Sequence, residues 1–281
     1  MSNSAPTDYA TIRPTDVLTS YVDFLRSHHR SKHTIDLRRR QIRSFLEYYP
    51  DPWRASTDDL REWLSMNKNW SAATKASARD ALLGFYGWLI RTNRLGRSPA
   101  ADLLPVRVPQ RVARPAPMDA IIEAYDLSDE RTKLMIELGV RAGLRRAEIA
   151  TLHSEDVSGV LGDWVLYIRG KGDKERIIPI DDEFAERLLE RGPGYIFSKS
   201  GDPSQHLTPK YVGELISKVL PDDWSAHSLR HHFATAVYSG TQDLVAVQQL
   251  LGHSSVATTQ RYVAITRNSL RQAAGTVRFK K

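Results

Sequence analysis

The chain has 281 residues, is 41% hydrophobic and 26% charged, contains no cysteine and carries a formal net charge of +7. These values describe an ordinary folded protein of one large or two smaller domains, without a disulfide framework, a thiolate metal site or a cysteine nucleophile. No apolar run approaches the ~20 residues of a membrane span and residues 1–14 lack the apolar stretch of a secretion signal, so a reducing cytoplasm is the expected setting and no membrane partner is expected. In chain order, Val17, Leu18, Tyr21, Phe24 and Leu25 recur at helical spacing behind Thr15 or Asp16 as a cap. Thr34 is placed to cap a second helix over 35–48, with Ile35, Ile42, Phe45 and Leu46 on one face and Arg38, Arg39, Arg40 and Arg43 on the other. Ser56 or Thr57, followed by Asp58 and Asp59, starts a third helix, and Ser71 starts a fourth through Leu82, Phe85, Trp88 and Leu89. The first hundred residues thus read as a four-helix unit with a basic face.

Between residues 94 and 117, five prolines exclude a continuous helix and five arginines keep the segment cationic. A helical domain over 1–104, a semi-extended basic linker over 105–117 and a second domain over 118–281 follow from that pattern. The net charge is +5, +3 and −1 in those three parts. The cationic excess therefore lies where it can neutralise a polyanion, and Arg30, Lys32, Arg38, Arg39, Arg40, Arg43, Arg107, Arg111 and Arg114 are the candidate contacts. In the second domain, helices are expected over 118–125, 131–139 and 145–152. Strands are expected over 164–168 and 176–180, joined by a hairpin turn at Gly170-Lys171-Gly172-Asp173. From Asp182 onward the pattern is mostly helical, with turns at 192–194, 201–203 and Pro221. The fold class is mainly α with a small antiparallel β-sheet: a helical N-terminal domain followed by a mixed α+β domain.

Four separated stretches of the second domain concentrate groups that bind a phosphate or move its protons. They are Gly143-Leu144-Arg145-Arg146-Ala147-Glu148, Gly170-Lys171-Gly172, His227-Ser228-Leu229-Arg230-His231, and Leu251-Gly252-His253 with Tyr262 nine residues on. Singly, each has a plainer explanation. Arg145 and Glu148 have the spacing of a helix-surface ion pair, worth ~0.2–0.5 kcal/mol. Lys171 has the setting of a solubilising hairpin tip. His227 and His231 have the spacing of two metal ligands on a helix, yet the glutamate of a metalloprotease motif and a third ligand are missing. Together the groups form a set for metal-free phosphoryl transfer. Two guanidiniums clamp the non-bridging oxygens, an acid protonates the leaving oxygen, and cations with a base favour the phenolate of a tyrosine whose ordinary pKa is near ~10.

The run from Leu251 to Tyr262 resembles the C-terminal signature of the tyrosine recombinases, the phage-integrase family; the boxes around Arg145 and Arg230 and the Lys171 hairpin resemble the family's other boxes, in the same order. The likeness spans roughly residues 118–265, and the basic helical first domain is similar to the family's core-binding domain. The resemblance implies that Tyr262 attacks the scissile phosphate to give a 3′-phosphotyrosine and a free 5′-hydroxyl. It further implies that Arg145 and Arg230 hold the phosphate, His253 adds a hydrogen bond, Lys171 protonates the leaving 5′-oxygen and His227 acts as acid or base. Glu148 is expected to orient neighbouring groups and His231 to be mainly structural. His232 departs from the small hydroxyl residue common at its position, and Arg261 from an apolar one. No cofactor or metal is expected. The implied partners are double-stranded DNA held in a two-domain clamp and a homo-oligomer, a tetramer on DNA. The segment after Val263 is expected to dock on a neighbouring protomer, and an accessory directionality or DNA-bending protein is left open.

Only about 15 residues precede the first expected helix, so no arm-type DNA-binding domain is expected. The implied activity is a phage-type integrase, with a Xer-type chromosome-dimer resolvase as the near alternative. A type IB topoisomerase shares the tyrosine chemistry but does not exchange strands. A DNA-binding module that has lost catalysis would form no covalent complex.

Overall fold

The structure is a computed structural model that describes residues 13–109, 114–170 and 175–252. The chain divides into two compact units that part between Gln110 and Arg111.

The first unit holds α1 (Pro14–Ser27), α2 (Lys32–Tyr48), α3 (Thr57–Met66) and α4 (Ala72–Arg91). Short side chains set each start. Ser56 and Asp59 cap α3 reciprocally, with Ser56 N donating to Asp59 Oδ2 at 2.7 Å and Asp59 N to Ser56 Oγ at 3.2 Å. Such a cap stabilises a helix by about 1 kcal/mol. At α4 the cap is one-sided, with Ser71 Oγ accepting from Thr74 N at 3.1 Å. The cap of α2 is Ser31, which accepts from Thr34 N at 3.3 Å, so the helix starts three residues earlier than Thr34 suggests. α1 starts at Pro14, whose missing N–H is no loss in a first turn. α4 is buried on more than one face through Ala78, Ala81, Leu82, Phe85, Tyr86, Trp88 and Leu89, which makes it the centre of the bundle. Tyr21 and Phe45 meet it edge-on or with tilted rings, and Trp63 packs edge-on against Phe45. The chain after α4 folds back onto this unit. Arg79 donates to Leu103 O from Nε (3.0 Å) and Nη2 (2.7 Å), and Ala100 and Leu103 are buried. From Leu104, which is 81% exposed, to Pro109 the backbone has neither helix nor strand.

The second unit holds α5 (Met118–Asp126), α6 (Glu130–Arg141), α7 (Arg146–Ala150) and a single 3-10 turn at Ser154–Asp156. Next come β1 (Val157–Val160), β2 (Asp163–Arg169), β3 (Glu175–Ile180) and α8 (Asp182–Leu189). The described part closes with β4 (Ser198–Lys199), β5 (Asp202–His206), α9 (Pro209–Val219), α10 (Ala226–Thr241) and α11 (Leu244–Leu251). β1, β2 and β3 form an antiparallel meander in sequence order, and β4 and β5 a separate hairpin. Leu166 pairs with Ile178 and Ile168 with Arg176, so all four point to the buried face. α6 lies at the middle of the helical layer, buried at Thr132 and from Leu134 to Gly139 and packed on α10. The expected helices and the central hairpin strands are present, extended by one to three residues at several ends; α7 is shorter and ends at Ala150. β1, β4 and β5 were not expected. The turn at Lys171–Asp173 lies outside the described residues. Among the described residues no helix is long and apolar enough to cross a membrane.

Candidate active site

The turn from α6 into α7 aims the first arginine. Gly143 adopts a φ of +60°, in the left-handed region, and a Cβ there would lie 2.4 Å from Phe233 Cδ1. Both the backbone and the space thus require glycine. Leu144 then buries completely and Arg145 is extended at the N-cap of α7, with its side chain 39% exposed. Glu148, one turn on, folds back. Its Oε2 accepts from Arg145 N at 2.8 Å and its Oε1 from Arg145 Nη1 at 2.8 Å. The pairing anticipated from the spacing is therefore made, with a buried carboxylate rather than a surface one.

Arg230 lies on the inward stripe of α10, between Ala226 and Phe233, and is 0% exposed. Its Nη1 donates to Gly143 O, and its Nη2 to Leu251 O at 2.7 Å. It thereby joins the turn before Arg145 to the last turn of α11. A buried guanidinium is tolerable because these carbonyls replace water and Glu148 Oε2 lies 3.9 Å from Nη1.

His227 stands one turn before His231 on α10, with ring centroids 4.3 Å apart and planes at 70°. His227 is open to solvent on the pocket side. Burial of the rest of its ring, then the charges of Arg230, Arg145 and Arg146, hold its pKa below the ordinary imidazole value. Burial, then His227 and Arg230, push His231 down to about 4. Both rings are thus neutral at neutral pH and can accept a proton.

Arg145, His227 and Arg230 line one open pocket of about 480 Å³ together with Arg146, Ser217 and Ser225. Arg146 was not singled out in the sequence. Arg176 was also missed. It is buried on β3 and forks onto Glu148, with Nη1 to Oε1 at 3.0 Å and Nη2 to Oε2 at 2.7 Å. The signal that could have found it is the strand's alternation, which puts Arg176 in phase with Ile178. Lys171, His253 and Tyr262 lie outside the described residues, although Gly252 is described and takes a left-handed φ of +64° at the end of α11.

Burial alone would raise the pKa of Glu148, but the Arg176 fork and then Arg145 outweigh it and hold the carboxyl at about 2, against an ordinary 4.5. A carboxyl whose folded pKa is depressed adds stability that is fully present above its unfolded pKa. That stability is lost as pH falls toward the folded value. Between about pH 4.5 and pH 2 the protein should therefore lose on the order of 3 kcal/mol through Glu148. Denaturant titrations across that range should show a slope that Glu148→Gln reduces. Equal slopes in the two proteins would contradict the assignment.

The chain entering this unit is fastened to α10. Ala116 N donates to Ser228 O at 3.2 Å, His232 Nδ1 lies 2.9 Å from Ala116 O, and the Arg114 guanidinium stacks 4.9 Å from the Trp224 ring centre. His232 thus has a use for its ring that a small hydroxyl residue would lack. Of the other candidate DNA contacts, Arg30, Lys32, Arg39, Arg40, Arg43 and Arg107 are exposed, and Arg111 lies outside the described residues. Arg38 corrects the expected basic face. It lies on the inward stripe with Gln41, Ile42 and Phe45 and donates to Ser77 O of α4 at 2.6 Å. Its spacing to Phe45 is that of one helix face, which the run of three arginines obscured.

Comparison with known proteins follows the same division. Residues 112–269 match the model of the phage integrase family, and residues 18–93 match the phage integrase N-terminal SAM-like domain. The chain is 30% identical over 272 residues to tyrosine recombinase XerC of Azotobacter vinelandii, covering 87% of this chain and 90% of that one. It is 30% identical over 247 residues to tyrosine recombinase XerD of Xanthomonas campestris, covering 77% and 75%. The fold is similar to that of a lambda integrase (75–356) dimer bound to a COC′ core site, with a TM-score of 0.74 at 20% identity over 90% of this chain and 96% of that one. It is also similar to XerH recombinase bound to palindromic difH substrate, with a TM-score of 0.69 at 22% identity over 93% and 84%. The chain belongs to the phage integrase family: it is a tyrosine recombinase, a site-specific enzyme that breaks and rejoins DNA.

Proposed function

We propose that this enzyme cleaves and exchanges DNA strands at paired sites through a 3′-phosphotyrosine on Tyr262, and that the pocket of Arg145, His227 and Arg230 receives the scissile phosphate. The observation that carries this reading is the convergence of two guanidiniums and an imidazole on one open pocket, organised around the buried carboxylate of Glu148. The phenolate of Tyr262 attacks phosphorus as the bond to the 5′-oxygen breaks. Arg145 and Arg230 stabilise the charge that develops on the non-bridging oxygens. Lys171 delivers a proton to the 5′-oxygen, His227 serves in proton transfer and His253 adds a hydrogen bond to the phosphate. Attack by a 5′-hydroxyl of the partner duplex reverses the chemistry and yields a Holliday junction. Because the bond energy is kept in the protein–DNA ester, this scheme needs no external energy source.

The partner is double-stranded DNA, and the working form is a homotetramer with residues 263–281 docking on a neighbour. A structural neighbour of the same fold, the lambda integrase tetramer bound to a Holliday junction, is consistent with that assembly. Arg39, Arg40 and Arg43 are exposed on α2 and contact phosphates, whereas Arg38 braces α2 against α4. Replacing the three exposed arginines with alanine should weaken binding to all duplex sequences alike. It should also flatten the slope of log affinity against log salt by about 0.9 for each phosphate that is no longer neutralised. A change confined to one sequence, with the slope intact, would show base reading instead.

Between the two biological roles, the sequence pattern leans to a phage-type integrase. The 30% identity to XerC and XerD proteins over most of the chain supports resolution of directly repeated sites as strongly. A binding site can be selected from a randomised duplex pool by its affinity for this protein and then placed in pairs. A recombinase makes Holliday junctions from such pairs, whereas relaxation of supercoils without junctions would point to topoisomerase chemistry. Resolution of directly repeated identical sites supports the Xer-type role. Recombination only between non-identical partner sites supports the integrase role.

A further inference from the structure

Arg176 carries a buried charge for which the scheme above gives no use. β3 turns it inward opposite Ile168, and its side chain is 5% exposed. Its Nε donates to Leu250 O at 2.8 Å, while the other two nitrogens fork onto Glu148. One residue thus ties together β3, α7 and the last turn of α11. A Cβ on Gly252 would sit 3.0 Å from Arg176 Cδ, so the chain leaving α11 passes directly over the arginine.

Glu148 is the carboxylate that three guanidiniums share: Arg176 in a bidentate pair, Arg145 at 2.8 Å and Arg230 at 3.9 Å. One negative and three positive groups leave a net charge of +2. A phosphodiester carries one negative charge, and a pentacoordinate transition state places a second on its oxygens. Without Arg176 the cluster would hold +1. The Glu148 oxygens would then be left to Arg145 and Arg230, the groups assigned to the DNA. Ion pairs in a low-dielectric setting are strong enough for that competition to matter.

We infer that Arg176 is a positioning residue that neutralises Glu148, so that Arg145 and Arg230 present their full charge to the scissile phosphate. This rests on the proposal that the Arg145–Arg230 pocket receives that phosphate. Arg176 touches no DNA atom in this scheme; it acts through Glu148.

The test is single-turnover cleavage by the full-length protein of a nicked duplex carrying the selected site, with either a normal phosphate or a methylphosphonate at the scissile position. Rates are taken per folded molecule. Arg176→Met should cleave the normal duplex about 10–100-fold more slowly than the unchanged protein, with little loss of binding. The methylphosphonate lacks one of the two transition-state charges, so the gap between the proteins should narrow on that duplex. Arg176→Lys keeps a cation against Glu148 but cannot also hold Leu250 O, and should cleave faster than Arg176→Met. If Arg176→Met does not fold, Arg176→Gln, which likewise removes the cation, takes its place and the same narrowing is required of it. A gap equal on both duplexes would assign Arg176 a purely structural role and overturn the inference. So would a folded Arg176→Met with unchanged rate. If the unchanged protein itself forms no covalent adduct, the functional reading fails first, and the two failures remain distinct.

Discussion

Arg230→Ala should slow strand cleavage by about 10³–10⁵-fold, the range found when an arginine that meets transition-state charge on a phosphoryl group is removed. The same change should also lower the stability of the second unit. Arg230 is 0% exposed and donates to Gly143 O and Leu251 O. Truncation would leave the carbonyls of the buried Gly143 and Leu251 without that donor, at about 1–3 kcal/mol each. Arg230→Lys separates the two effects. It restores a charge and one donor, so it should recover part of the stability, yet a point charge cannot join the two carbonyls while clamping a phosphate in two places. Cleavage by the lysine variant should therefore remain at least about 100-fold slow, as for loss of a preorganised donor. Rates per folded molecule, from burst amplitudes on a nicked duplex, give the comparison. A folded Arg230→Ala protein that cleaves within tenfold of the unchanged one would remove Arg230 from the phosphate site.

The legibility of the chain follows the range over which each feature is determined. Ser56 and Ser71 were readable as caps because the partner of a cap lies three residues away. At α2 the same rule misled: Thr34 and Ser31 are both suitable, and the hydroxyl of Thr34 instead meets that of Ser31 at 2.9 Å. β2 and β3 declare themselves through branched and aromatic residues. β1 does not, because Val157–Val160 is four residues with a glycine and becomes a strand only by pairing with β2. β4 and β5 are short and polar, and Ser198 opposite His206 and Lys199 opposite Asp202 leave no hydrophobic alternation to read.

The candidate site divides in the same way. Arg145 and Glu148 are neighbours on one turn, and His227, Arg230 and His231 share one helix, so their grouping was visible in the spacing. The tie that organises them was hidden. Arg176 lies 28 residues from Glu148 and 74 from Leu250, and a charged residue within a strand carries no sign of a buried partner that far away. The inward turn of Arg38 was obscured for a related reason. Its acceptor, Ser77 O, is 39 residues along the chain on another helix.

The second large effect is on Tyr262, the residue to which the account assigns the bond to DNA. Loss of a nucleophile within a cooperating catalytic set costs on the order of 10⁶-fold, and phenylalanine removes only the oxygen. The most direct measurement is to incubate the protein with a nicked duplex carrying the selected site, denature it in SDS, digest the adduct and locate the modified residue by mass spectrometry. The Tyr262 nucleophile requires a DNA 3′-phosphate esterified to its phenolic oxygen, and no adduct from Tyr262→Phe. An SDS-resistant adduct that persists in Tyr262→Phe, or one mapped to any other residue, would contradict it.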